Sequence, residues 1–270
     1  MSTVIHAHLA HKAVAAQLNN VGVALLESSQ HQLAAEAFAD SMRSTKRARR
    51  ALDSPAEDYG AVIAETSRAI QDIQTHIQVL QQQQQQSCRA AATYAHGGLH
   101  DRRGLLVYTR PLLLNGTNCP RSFEAHAGLT ADQCRESCAE FLAVTAFNMA
   151  LTHHIDALTN SNSSNNGASS SWRRAFSSYT MALSLLSKCP PVSLTSLRTT
   201  LNKAMLNNMG QILISQGQAQ AARQYFNGLS ALLEVASMEQ LECPQKPNAF
   251  QWDGFALNVL KTSSCPSPAA

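Results

Sequence analysis

The chain has 270 residues, and 44% of them are hydrophobic, enough to fill a core and to exclude a wholly disordered protein. Charged residues make up only 14%, against about 25% in an average soluble protein, so Gln, Ser, Asn and Thr are expected to leave a neutral-polar surface. Twenty-one Lys and Arg against 18 Asp and Glu give a net charge of +3, too small a surplus to imply nucleic-acid or anionic-membrane binding from charge alone.

No apolar run approaches the roughly 18 to 20 residues of a membrane-spanning helix. Residues Met1 to Ala10 carry neither an early cation nor an unbroken apolar stretch, so no secretory signal is read there and a cytosolic or nuclear protein is expected. The seven Cys (88, 119, 134, 138, 189, 243 and 265) are odd in number and widely spread, which predicts reduced thiols rather than a disulfide framework. Asn115-Gly-Thr117 and Asn162-Ser-Ser164 fit the glycosylation pattern, a chance match in a chain without a signal sequence.

Residues 3–52 predict a first helical hairpin. They are rich in Ala, Leu and Gln, and Leu18, Val21, Leu25 and then Ala34, Phe38, Ser41 mark one packing face on each helix. Glu27 to His31 supplies the turn. The run Lys46-Arg47-Ala-Arg49-Arg50 closes the second helix, where cations suit the helix dipole; a nuclear-import or nucleic-acid patch is the other reading. Residues 53–103 predict a helix with an apolar seam at Ile63, Ile70, Ile73, Ile77 and Leu80, extended by Gln81 to Gln86 and followed by a linker.

Residues 104–130 are expected to be irregular. Leu105 to Leu114 alone reads better as strand than helix, and Pro111 confines that strand to an edge or a bulge. Helical periodicity returns from Thr130, and residues 131–262 predict further hairpins. A Ser/Asn tract at 159–171 is expected to be a disordered loop before a helix from Trp172 to Ser187. Leu194 to Gln216 and Ala219 to Met238 form the last hairpin around Gly217, Trp252, Phe255 and Val259 suit a closing helix, and 263–270 are expected to be a disordered tail.

The hairpins repeat one another. Leu18-Asn-Asn-Val-Gly22 and Leu206-Asn-Asn-Met-Gly210 differ at one position, and each Gly is followed at the same intervals by Ala34, Phe38 and Ser41 or by Ala222, Phe226 and Leu229. A third copy starts at Phe147-Asn-Met-Ala150, and its second helix offers Ala175, Tyr179 and Ala182 at the same spacing after an insertion in the turn. These residues resemble the tetratricopeptide repeat, in which a small residue of one helix packs against an Ala and a ring of its partner. The resemblance implies a mainly α chain of antiparallel hairpins stacked as a short α-solenoid, and the residues themselves add a small strand-like segment near 105–114. The order of the first hairpin, Val107-Tyr-Thr-Arg-Pro111, Phe147 to His154, the Leu206 repeat and Trp252-Asp-Gly-Phe255 is further similar to uncharacterised tetratricopeptide-like proteins of diatoms. That family has no established biochemical role.

Within each copy an Asn stands two residues before the Gly or Ala: Asn20, Asn148 and Asn208. The tetratricopeptide resemblance implies that such residues line a concave groove and hold the main chain of an extended peptide. An amide suits this because it offers a donor and an acceptor without a charge. Asn19, Asn207 and Gln211 stand beside them, with Leu26, Leu151 and Ile214 for apolar contact. Satisfying backbone or neighbouring-repeat hydrogen bonds is the competing reading. The inner positions, Phe147 and His154 among them, carry no Lys or Arg, so an acidic tail is not the expected ligand.

No phosphate-binding Gly-rich loop, nucleophile elbow or His-Glu-x-x-His occurs, so no enzyme, metal or cofactor is predicted. A metal site drawn from Cys134, Cys138, His153 and His154 gives way to buried thiols and a half-exposed His pair. His6, His8 and His11 read as a solvated helix face. The functional expectation is a protein-interaction scaffold that binds a partner's peptide in the groove. The alternative is an RNA-associated helical-repeat protein using Lys46 to Arg50, Arg102-Arg103 and Arg173-Arg174.

Overall fold

The computed structural model describes residues 2–53, 71, 105, 107–114, 130–159, 165–188, 195–242, 255–256 and 258–260. The expected seam at 63–80, the Gln tract, the linker, Arg102-Arg103, residues 115–129, Trp252 and the tail lie outside them. So do five of the seven Cys and both glycosylation-type Asn. The fold is mainly helical: α1 Ser2–Glu27, α2 His31–Asp53, α3 Ala131–Thr159, α4 Asn165–Leu186, α5 Thr195–Ser215 and α6 Ala219–Glu242. Two compact units divide the chain. One comprises Met1–Ala95 with Pro111–Pro190, and the other His96–Arg110 with Pro191–Ala270. No helix among the described residues is long and apolar enough to cross a membrane.

In the first unit α1 packs on α2, α2 on α3 and α3 on α4, and α1 also touches α3. The α1/α2 hairpin closes tightly because small residues line the seam. A Cβ placed on Gly22 would lie 2.6 Å from Cε1 of Phe38, a ring with no exposed surface. Ala15, Ala34 and Ala48 are likewise fully buried. Such close helices leave buried polar groups only each other, and they pair: Ser41 Oγ donates to the Ala15 carbonyl (2.7 Å) and Ser44 Oγ to that of His11 (2.8 Å).

The α1/α2 turn explains why the chain reverses at Ser29. Its φ of 60° puts it in the left-handed region, the Ser29 N–H donates to Leu26 O (3.0 Å), and the Gln30 N–H reaches back to Leu25 O (2.9 Å). That pair of bonds satisfies carbonyls that the end of a helix otherwise leaves open. In the second unit α5 ends the same way: Gly217 has φ 78°, its N–H donates to Ile214 O (3.0 Å), and Gln218 N–H to Leu213 O (2.8 Å). The repeated register holds here too, since a Cβ on Gly210 would lie 2.8 Å from the Phe226 ring.

The third hairpin, α3/α4, starts with a reciprocal cap: the Gln133 N–H donates to Thr130 Oγ1 (3.2 Å), and the Thr130 N–H to Gln133 Oε1 (2.9 Å). The fully buried ring of Tyr179 lies 5.9 Å from that of Phe147 and 6.1 Å from that of His154, the residues that bracket Ala150 by one turn on either side. Helix α4 begins at Asn165, not at Trp172, so the Ser/Asn tract is helical over its second half. Ser171 is buried there, and its hydroxyl donates to Asp156 Oδ2 (2.7 Å).

The expectations for His8, His11 and His154 are corrected. His8 and His11 are buried rather than solvated, with His8 Nδ1 3.0 Å from the Ala48 carbonyl. His154 is not half-exposed but fully buried, and loss of hydration pushes its pKa down to about 3, so it is neutral. Phe147 and His154 face Tyr179 and so belong to the hairpin seam. Cys134 and Cys138 are buried free thiols, and burial drives that of Cys138 up to about 11.

Candidate binding site: asparagines on an extended main chain

Three asparagines of the repeat grip main chain, and the main chain belongs to residues 105–114 of the same molecule. In the first unit Asn20 Nδ2 donates to the Leu114 carbonyl and the Leu114 N–H donates to Asn20 Oδ1, both at 2.9 Å. Asn148 treats Leu112 identically, donating to its carbonyl at 2.8 Å and accepting from its N–H at 2.9 Å. In the second unit Asn208 accepts from the Tyr108 N–H (2.9 Å) and donates to the Tyr108 carbonyl (3.0 Å). Each amide thereby meets one donor and one acceptor, which fixes its flip: the reversed amide would set N–H against N–H and O against O.

A residue whose N–H and C=O point to the same side is in extended conformation. In the first unit Leu112 and Leu114 stand two residues apart, as the two-residue period of an extended chain requires. Pro111 falls on the other parity, where its missing N–H is not one the asparagines use. The strand expected at 105–114 is therefore corrected. Its backbone is extended where the asparagines grip it, but no strand occurs among the described residues, and side-chain amides stand where a neighbouring strand would.

The neighbouring amides brace the grip. Asn19 Nδ2 also donates to the Leu112 carbonyl (3.0 Å), and Asn19 Oδ1 accepts from Asn148 Nδ2 (3.0 Å), tying α1 to α3 through fully buried side chains. In the second unit Asn207 Nδ2 donates to Asn208 Oδ1 (3.1 Å) and Asn207 Oδ1 accepts from Asn258 Nδ2 (2.7 Å). Asn258 thus does for Asn207 what Asn148 does for Asn19. Gln211 Nε2 donates to the Leu105 carbonyl (3.1 Å), while its Oε1 is buried without a hydrogen-bond partner.

Asn19, Asn148, Asn207, Asn208 and Gln211 have no exposed surface, and Asn20 is half-buried. All six residues expected to line a peptide site therefore touch main chain or brace a residue that does. Leu26, Leu151 and Ile214 are buried as well. Sequence reading missed Asn258, because the residue two places after it is Leu260 and not the Gly or Ala that marks the other copies. It also missed Lys203, which is 1% exposed and one turn before Asn207 on α5, although the inner positions were expected to carry no cation.

Side chains of the gripped segment are buried unevenly. Leu105, Val107 and Tyr108 have at most 9% of their surface exposed, and the Tyr108 ring lies 5.9 Å from that of Phe255 at 41°. Thr109 to Leu113 are half-buried or exposed, and Leu114 is buried again. No group of three or more His, Cys, Asp or Glu among the described residues could hold a metal ion. Comparison with protein-family models, with curated proteins and with solved structures finds no match for this chain.

Proposed function

We propose that the chain is a non-enzymatic interaction scaffold of tetratricopeptide-like hairpins whose asparagines hold the main chain of an extended peptide, and that a partner's segment takes the place of the resident main chain on a unit, residues 111–114 on the first or 105–110 on the second. The observation that carries the reading is the two-point grip of Asn20, Asn148 and Asn208 on Leu114, Leu112 and Tyr108. Gly22 against Phe38 and Gly210 against Phe226 support the tetratricopeptide-like packing. The bonds go to peptide groups that every residue possesses, so the recognition they provide is uncharged and tolerant of sequence.

The chain's own segment competes with any incoming peptide. A tethered ligand has an effective concentration on the order of 1 mM. A free peptide of the same sequence therefore binds with an apparent Kd near that value, and a partner must hold on better than residues 105–114 do. Titrating isotope-labelled protein with the peptide Gly104 to Gly116 to about 2 mM tests this. The amide resonances of Tyr108, Leu112 and Leu114 should move toward solvent-exposed positions; unmoved resonances at saturating peptide would reject the reading.

A second reading has one observation in its favour. Arg43, Lys46, Arg47, Arg49 and Arg50 on α2, and Arg173 and Arg174 on α4, are all exposed. A polyanion such as RNA would find cations two helical turns long on α2, about 10 Å. Salt-dependent retention on heparin supports this surface, and elution at low salt removes it.

A further inference from the structure

We infer that the second unit reads a side chain as well as a main chain: the partner segment is extended and places an uncharged aromatic ring where Tyr108 now stands, against Phe255. This deepens the proposed displacement and rests on it. The grip of Asn208 is blind to sequence, because it ends on the N–H and C=O of residue 108. Discrimination in the second unit has to come from side chains that leave water. Leu105, Val107 and Tyr108 are 3%, 2% and 9% exposed, whereas Arg110 and Leu113 are exposed. Tyr108 carries the largest apolar surface of the three and has a ring partner in Phe255, itself 1% exposed.

Charge is excluded from the same place. Burial raises the pKa of Tyr108, so the ring stays neutral, and a phosphate on it would bring nearly two negative charges into a site that leaves 9% of the residue exposed. The fitting partner therefore carries an unmodified Tyr or Phe preceded by small or branched apolar residues, as in Leu105-x-Val107-Tyr108.

The test uses the full chain with Tyr108→Ala, which weakens the resident segment and leaves Asn208 and Phe255 in place. Labelled Gly104 to Gly116 peptides carry Tyr, Ala or phosphotyrosine at the position of Tyr108, and binding is read by fluorescence anisotropy. Removing a buried ring costs about two orders of magnitude in affinity. The Tyr peptide should bind the variant roughly 100-fold more tightly than it binds the unaltered chain, and the Ala and phosphotyrosine peptides at least tenfold more weakly than the Tyr peptide. Equal binding of the three peptides overturns the ring inference and leaves main-chain recognition standing. Binding of none overturns both. Should circular dichroism show that Tyr108→Ala loses its helices, Tyr108→Leu is used with the same criteria. Phe255→Ala provides the second arm, and preserved discrimination between the Tyr and Ala peptides in that chain would also contradict the inference.

Discussion

Adding one methyl group to Gly22 should destabilise the protein, although glycine is normally a poor helix residue. In an open helix position Gly→Ala gains about 1 kcal/mol. At Gly22 the new Cβ would lie 2.6 to 2.8 Å from three atoms of the Phe38 ring, and at Gly210 2.8 to 3.1 Å from the Phe226 ring. Comfortable carbon contacts are near 3.5 to 4.0 Å. Each ring must retreat by about 1 Å, but Phe38 is fully buried and Phe226 is 2% exposed. Overpacking of this kind costs about 1 to 3 kcal/mol, so the net change lies between about 0 and a loss of 2 kcal/mol. Gly228 supplies the control within α6: its Cβ would meet Leu206 at 3.6 Å, an ordinary contact, so Gly228→Ala should stabilise by about 1 kcal/mol. Urea unfolding read at constant m-value measures all three. Adding Phe38→Leu to Gly22→Ala should return part of the loss as a favourable coupling in a double-mutant cycle. Equal stabilisation by Gly22→Ala, Gly210→Ala and Gly228→Ala would refute the close-packing argument.

The turn makes a prediction of the opposite sign: Ser29→Gly should raise stability by about 1 kcal/mol in thermal unfolding, because Ser29 holds φ 60° where Gly217 holds φ 78° in the equivalent turn. Asn208→Ala removes two hydrogen bonds from the main chain of Tyr108 and should cost about 2 to 4 kcal/mol in urea unfolding, against about 0.5 kcal/mol or less for the exposed Asn227→Ala. Acid should destabilise the fold between pH 6.5 and about 3, because His154 is neutral when folded and takes up a proton once unfolded. Its folded pKa is the lowered one, so stability is full above 6.5 and falls as pH drops, by on the order of 1 kcal/mol per unit. His31 and His153, whose pKa values burial also lowers, add to the slope. His154→Phe should flatten the fall in pH-dependent chemical denaturation; an unchanged slope would contradict the assignment.

Much of the helical packing was legible because it is local. The intervals from Gly22 to Ala34, Phe38 and Ser41 recur from Gly210, and they mark residues that meet across a turn of a few residues. The asparagines were legible for a similar reason, since an uncharged amide repeated on one helix position suits a peptide group. What they hold was not. Leu114 stands 94 positions from Asn20, and no local pattern in Leu105 to Leu114 names its partner. The strand expected at Leu105 to Leu114 does coincide with extended backbone where the asparagines grip it, but a local sequence pattern describes a conformation and is silent about who supplies the hydrogen bonds. His8 and His11 escaped for another reason. Polar residue type predicts exposure, whereas the Ala48 carbonyl gives His8 a buried partner on the neighbouring helix.

Amide hydrogen exchange of residues 107–114 tests the central claim most directly. The N–H groups of Tyr108, Leu112 and Leu114 end on asparagine oxygens at 2.9 Å, so they should exchange orders of magnitude more slowly than those of Thr109 and Leu113, which point the other way along an extended chain. Asn208→Ala should release Tyr108 first. Uniformly fast exchange along the segment, with no even–odd pattern, would contradict the account.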